Sequence, residues 1–138
     1  MAPIIFFTMT KYFFPFLFVG IGGMIGTLLR YSVTLATKDL SVSIPYNTLI
    51  SNLAGCFIIG VVTALADQRA ILSSDMRLFL ATGVCGGFTT LSSLVYELQK
   101  LLADREIFIA SMYFAATFAG SFIAFFIGMT MIRFLIKG

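Results

Sequence analysis

The sequence predicts an all-α membrane protein with four spanning helices. Three observations carry this prediction: four long apolar runs, a low density of charge, and short connectors between the runs. Charged residues make up 11% of the chain and hydrophobic residues 59%. A soluble domain carries roughly a quarter charged residues, and a chain of 138 residues would leave much of its surface in water. So few charges cannot coat that surface, and lipid is the solvent that fits.

The first run covers about residues 12–36, the second 46–66, the third 76–102 and the fourth 107–136. Each reaches the roughly 20 residues that cross a hydrocarbon core at about 1.5 Å per residue. The connectors Thr37–Pro45, Asp67–Asp75 and Ala103–Glu106 are short, which implies antiparallel neighbours. No internal repeat or low-complexity tract marks a boundary, so residues 1–138 are read as one four-helix transmembrane domain. The first ten residues lack charge and no small-residue cleavage site follows. This end is therefore read as retained rather than as a signal peptide.

Positive charge is nearly even between the two sides of the membrane. The N-terminus, second connector and C-terminus carry five cations: Lys11, Arg69, Arg77, Arg133 and Lys137. The first and third connectors carry four: Arg30, Lys38, Lys100 and Arg105. That balance gives the positive-inside rule almost nothing to act on. Either both orientations insert and pair as an antiparallel dimer, or the rule discriminates weakly on so small a chain. All nine cations flank apolar runs instead of forming a patch, which suits lipid headgroups and argues against nucleic acid as a partner.

Histidine is absent, so a Cys/His zinc site, a Ser-His-Asp triad and a Cys-His pair are excluded within one chain. Cys56 and Cys85 lie inside apolar runs and read as buried spectator thiols. There is no P-loop pattern and no visible acid-base pair, so an enzyme is not expected.

Most glycines in the spans read as sites of close helix approach. The third span differs, with Gly86-Gly87 followed by Phe88, Thr89, Thr90, Leu91, Ser92 and Ser93. Paired glycines and β-branched hydroxyl residues make a poor helix interior, and a break is expected at Gly86-Gly87. It would free backbone carbonyls at membrane depth, where protein, water or an ion must satisfy them.

The remaining polar residues are mostly neutral. Asn52 lies at the centre of the second span with Thr48 one turn earlier on the same face. Tyr113, Thr117 and Ser121 recur every fourth residue, a hydroxyl row roughly 12 Å long. No span has an acid near its middle; Glu97 lies about two turns beyond Thr90. Interhelical hydrogen bonding accounts for any single Ser or Thr here. A row of donors with no fixed negative charge suits a small anion, whose lost hydration it can replace. Phe88 offers a ring edge, which is the positive part of the ring, although packing is the ordinary role of a Phe.

Three motifs carry a family resemblance. Gly22-Gly-Met-Ile-Gly-Thr-Leu-Leu-Arg-Tyr31, Asn47-Thr-Leu-Ile-Ser-Asn-Leu-Ala-Gly55 and Gly83-Val-Cys-Gly-Gly-Phe-Thr-Thr-Leu-Ser-Ser93 occur in order. Together they resemble the first, second and broken third spans of the CrcB/Fluc fluoride channels, and the resemblance covers Phe18 to Ile132. It implies a passive, fluoride-selective channel of the cell membrane, built as a dual-topology antiparallel homodimer, that exports cytoplasmic fluoride down the membrane potential. It also implies a structural sodium ion on the dimer axis, held by the backbone carbonyls of Gly86 and Thr89. By the same resemblance, the fluoride pore takes Thr48, Asn52, Phe88, Thr90, Tyr113, Thr117 and Ser121, with Arg30 at a vestibule. Leu91 and Leu94 depart from the family pattern by standing where phenylalanines are common.

Two other classes remain for comparison. A dual-topology multidrug/proton antiporter shares the size and charge balance but needs a membrane-centred carboxylate. A non-transporting assembly subunit would need neither the break nor the hydroxyl row.

Overall fold

The computed structural model describes the backbone of residues 2–40, 44–67 and 71–137, and the side chains of 13–40, 44–67 and 71–136. Arg69 and the side chains of Lys11 and Lys137, which enter the charge count, lie outside the described residues. Helix α1 is Ala2–Thr37 and α2 is Tyr46–Asp67. Helix α3 runs from 74 to 88 in three consecutive stretches, Ser74–Arg77, Leu78–Cys85 and Gly86–Phe88. Helix α4 is Leu91–Ala103 and α5 is Ile107–Lys137. No strand occurs among the described residues. Four segments are long and apolar enough to cross a membrane: Phe13–Thr37, Tyr46–Asp67, Ser74–Ala103 and Ile107–Ile136. The third of these is α3 and α4 together.

The third span starts at a cap. Ser73 is extended and its hydroxyl accepts the Met76 N–H at 3.3 Å, with Asp75 in the first turn at the positive end of the helix dipole. Residues Leu78–Cys85 are wound as a π-helix, which no sequence pattern announced. Wide turns of this kind gather at functional segments.

The position of the break corrects the sequence reading. Gly86 is right-handed helical, and Gly86–Phe88 continue the helix. The extended residues are Thr89, at φ −79° and ψ 157°, and Thr90, at φ −152° and ψ 112°. The physical reason lies in both residue types. β-branched threonines settle readily in extended backbone, whereas Gly87 is held in the helix by packing against α1. Thr90 then caps α4, its hydroxyl accepting the Ser93 N–H at 3.1 Å.

Two parallel helix pairs form the bundle. On α1, a Cβ added to Gly22 would reach Gly83 Cα at 3.0 Å, and one on Gly26 would strike the Val84 carbonyl. A Cβ on Gly87 would strike the Gly23 carbonyl. Positions rise together along both helices, so α1 and α3 run parallel with backbone against backbone. In the second pair, Gly60 meets the Phe125 carbonyl, Gly128 meets the Phe57 carbonyl, and Gly120 packs on the Leu53 side chain. Asp67 and Arg133 close the far ends of α2 and α5 with an ion pair at 2.7 Å.

The outside of the bundle is apolar and its interior partly polar. Phe108, Phe118, Phe122 and Phe134 are exposed, whereas Thr48, Ser51, Asn52, Thr90 and Thr117 are buried. That inversion suits a hydrocarbon solvent.

Candidate ion pathway

Asn52 projects from the middle of α2 to the break. Its Oδ1 accepts the Thr90 N–H at 2.8 Å, and its Nδ2 donates to the Thr90 carbonyl at 3.3 Å. The side-chain amide thus replaces a peptide partner for an extended residue buried in the bundle. The exchange frees other groups. In an unbroken helix the Thr90 N–H would bond Gly86 O and the Ser93 N–H would bond Thr89 O. Here those donors go to Asn52 and to the Thr90 hydroxyl. Four carbonyls, those of Gly86, Gly87, Phe88 and Thr89, lose their helical donors at the break. Gly86 is exposed, and a Cβ there would meet nothing within 4 Å. Neutral oxygen donors on an open face fit a hard monovalent cation such as sodium.

The hydroxyl row gains a member that the sequence reading set aside. Thr48 Oγ1 donates to Glu97 Oε1 at 2.8 Å, and Tyr113 Oη donates to Glu97 Oε2 at 2.6 Å. The expected row of donors without fixed negative charge is therefore corrected: a half-buried carboxylate joins it. The cause is helical phase, because α4 restarts at the break with Thr90, Ser93 and Glu97 on one face. That three- and four-residue spacing was the available signal.

Thr117 lies one turn beyond Tyr113. It is 3% exposed and its hydroxyl has no hydrogen-bond partner among the described residues. Ser121, one turn further, is half-buried beside an apolar groove of about 320 Å³ edged by Cys56, Phe122, Phe125 and Phe126. Phe88 is buried, with its ring edge against Gly55. Leu91 points outward at 73% exposure, and Leu94 is buried.

Arg30 is half-buried at a polar cavity of about 220 Å³. Asn47 and Thr48 of α2 and Thr90 and Ser93 of α4 line the same cavity, which therefore borders the Asn52–Thr90 and Thr48–Glu97 contacts. Among the described residues the one ion pair is Asp67–Arg133, so the Arg30 charge has no carboxylate within 4.0 Å.

A broken helix, a polar interior sealed by apolar helix faces, and an uncompensated cation at a cavity define a class: polytopic helical membrane proteins that handle ions. The chain belongs to the CrcB-like family, described as CrcB-like protein, Camphor Resistance (CrcB), whose model matches residues 17–129. Relatives called fluoride-specific ion channel FluC share most of its length. The protein from Prosthecochloris aestuarii is 40% identical over 125 residues, covering 91% of this chain and 98% of its own. The protein from Thermus thermophilus is 46% identical over 112 residues, covering 80% and 89%. That from Chlorobium luteolum is 45% identical over 113 residues, covering 82% and 88%.

Proposed function

We propose that this chain forms a passive fluoride-selective channel of the cell membrane that exports cytoplasmic fluoride. The observation that carries the reading is the near full-length similarity to relatives named as fluoride-specific channels. The buried polar interior supports it, because a small anion needs donors to replace its hydration. A negative-inside potential drives the anion outward with about 2.3 kcal/mol per charge per 100 mV. Liposomes containing only the purified chain provide the test. Fluoride efflux far above chloride efflux is expected, and comparable rates would overturn the reading.

The functional unit is an antiparallel homodimer. In it, fluoride enters past Arg30 and moves along Thr48, Asn52, Thr90, Tyr113, Thr117 and Ser121, with the Phe88 ring edge as a flanking contact. Each hydroxyl has one proton to donate. Those of Thr48 and Tyr113 are held by Glu97, so a passing anion must compete for them. A site of that kind binds weakly, which suits conduction, because an ion must enter and also leave. Thr117 offers a donor that no group among the described residues engages.

Sodium is a structural ion held by the Gly86 and Thr89 carbonyls of two chains. Its chemistry is charge compensation for backbone oxygens that the break deprives of donors.

Glu97 is the observation that favours a second reading, proton-coupled exchange, since a carboxylate can carry protons. Flux that scales with an imposed pH gradient at fixed voltage would favour it over a channel.

A further inference from the structure

Ser51 is fully buried, at 0% exposure, and its hydroxyl has no hydrogen-bond partner among the described residues. Elsewhere in the helices, buried or exposed hydroxyls at Ser32, Thr37, Thr63 and Ser111 donate to the carbonyl four residues back. Ser51 does not take that route, although the Asn47 carbonyl is available to it by position. Its neighbours on the buried face of α2 are engaged: Thr48 with Glu97, Asn52 with Thr90.

Helical phase places Ser51 under the Arg30 cavity. Asn47 and Thr48 both line that cavity. Ser51 follows them by four and three residues, so it shares their face and lies one turn, about 5 Å, deeper along the helix. The cavity is thus lined by the Arg30 guanidinium and by polar side chains of α2 and α4, and a buried hydroxyl follows one turn further along α2.

We propose that Ser51 is an ion-contacting residue of the pathway: its hydroxyl donates a hydrogen bond to a fluoride ion that has left the Arg30 cavity and shed part of its water. The inference rests on the fluoride-channel reading and adds to it a residue that sets the inner end of the vestibule. The cavity supplies charge and room, and Ser51 supplies a buried donor that is not engaged among the described residues.

A packing role and an ion-contacting role predict opposite things. If Ser51 only packs, Ser51→Ala removes an unsatisfied polar atom and nothing else, so stability is equal or higher and flux is unchanged. If Ser51 contacts the ion, stability is equal or higher while fluoride flux falls about tenfold or more, the loss of one hydrogen bond to a charge. Ser51→Cys keeps the shape with a weaker donor and should fall between. The experiment measures fluoride efflux from liposomes and thermal unfolding in detergent for wild type and both variants. Wild-type flux from Ser51→Ala, or its failure to assemble where Ser51→Cys assembles and conducts normally, would overturn the proposal. Absence of fluoride efflux from the wild type would instead overturn the channel reading beneath it.

Discussion

Asn52 shows how one side chain can serve both fold and transport. Its amide bonds the Thr90 backbone in both directions, so removing it leaves a buried N–H without a partner. Asn52→Ala should cost about 1–3 kcal/mol of stability, read as a lower unfolding temperature in detergent. Asn52→Asp retains the acceptor for the Thr90 N–H but sets a negative charge on the proposed anion path. It should stay assembled by size-exclusion chromatography and lose fluoride flux; normal flux would remove Asn52 from the path. The sequence identified Asn52, Thr48 and Tyr113 as interior polar residues because their spacing put them on common faces, and Thr90 through the family resemblance. It did not identify their partners. Glu97 looked peripheral because it lies about two turns beyond Thr90, and its contacts with Thr48 of α2 and Tyr113 of α5 are set by tertiary packing that no local pattern encodes. Ser51 follows Asn47 and Thr48 by four and three residues, but spacing alone does not distinguish a packing serine from a donor; its complete burial without a partner among the described residues does.

At the scale of elements, the number of spans and their extents were legible in hydropathy, since lipid imposes length on every crossing segment. The third span was legible as interrupted but misplaced by a few residues. Glycine signalled the interruption, yet the glycines serve the α1 contact and the threonines serve the break. The π-helical winding of Leu78–Cys85, a segment that packs against α1, leaves no mark in the sequence. Two predictions belong here. Gly26→Ala drives a Cβ into the Val84 carbonyl and toward Phe88 N, and should destabilise the chain by about 1–3 kcal/mol, measured by thermal unfolding. Thr89→Val keeps the side-chain shape and deletes only the hydroxyl that donates to Cys85 O at 2.9 Å. Since the proposed cation site uses the Thr89 carbonyl, stabilisation of the protein by added sodium should survive this change. Its loss would place the hydroxyl among the ligands.

For the whole molecule, the proposed antiparallel pair rests on a near balance of cations, which the addition of a few charges should upset. Two or three lysines added to the connector between α2 and α3 should bias insertion to one orientation and abolish fluoride resistance in cells. Co-expression with an oppositely biased copy should restore it. Full resistance from one biased version alone would rule out an antiparallel functional unit.

The glycine contacts also decide how the bundle can be repaired by evolution. A methyl added at Gly55 strikes the Thr89 side-chain methyl, so trimming Thr89 to serine offers a second-site suppressor. A methyl at Gly26, Gly60 or Gly128 meets a main-chain carbonyl, which no codon change can shorten. Revertant screens should therefore return compensating substitutions for the first kind of lesion, and for the second mostly restoration of glycine itself.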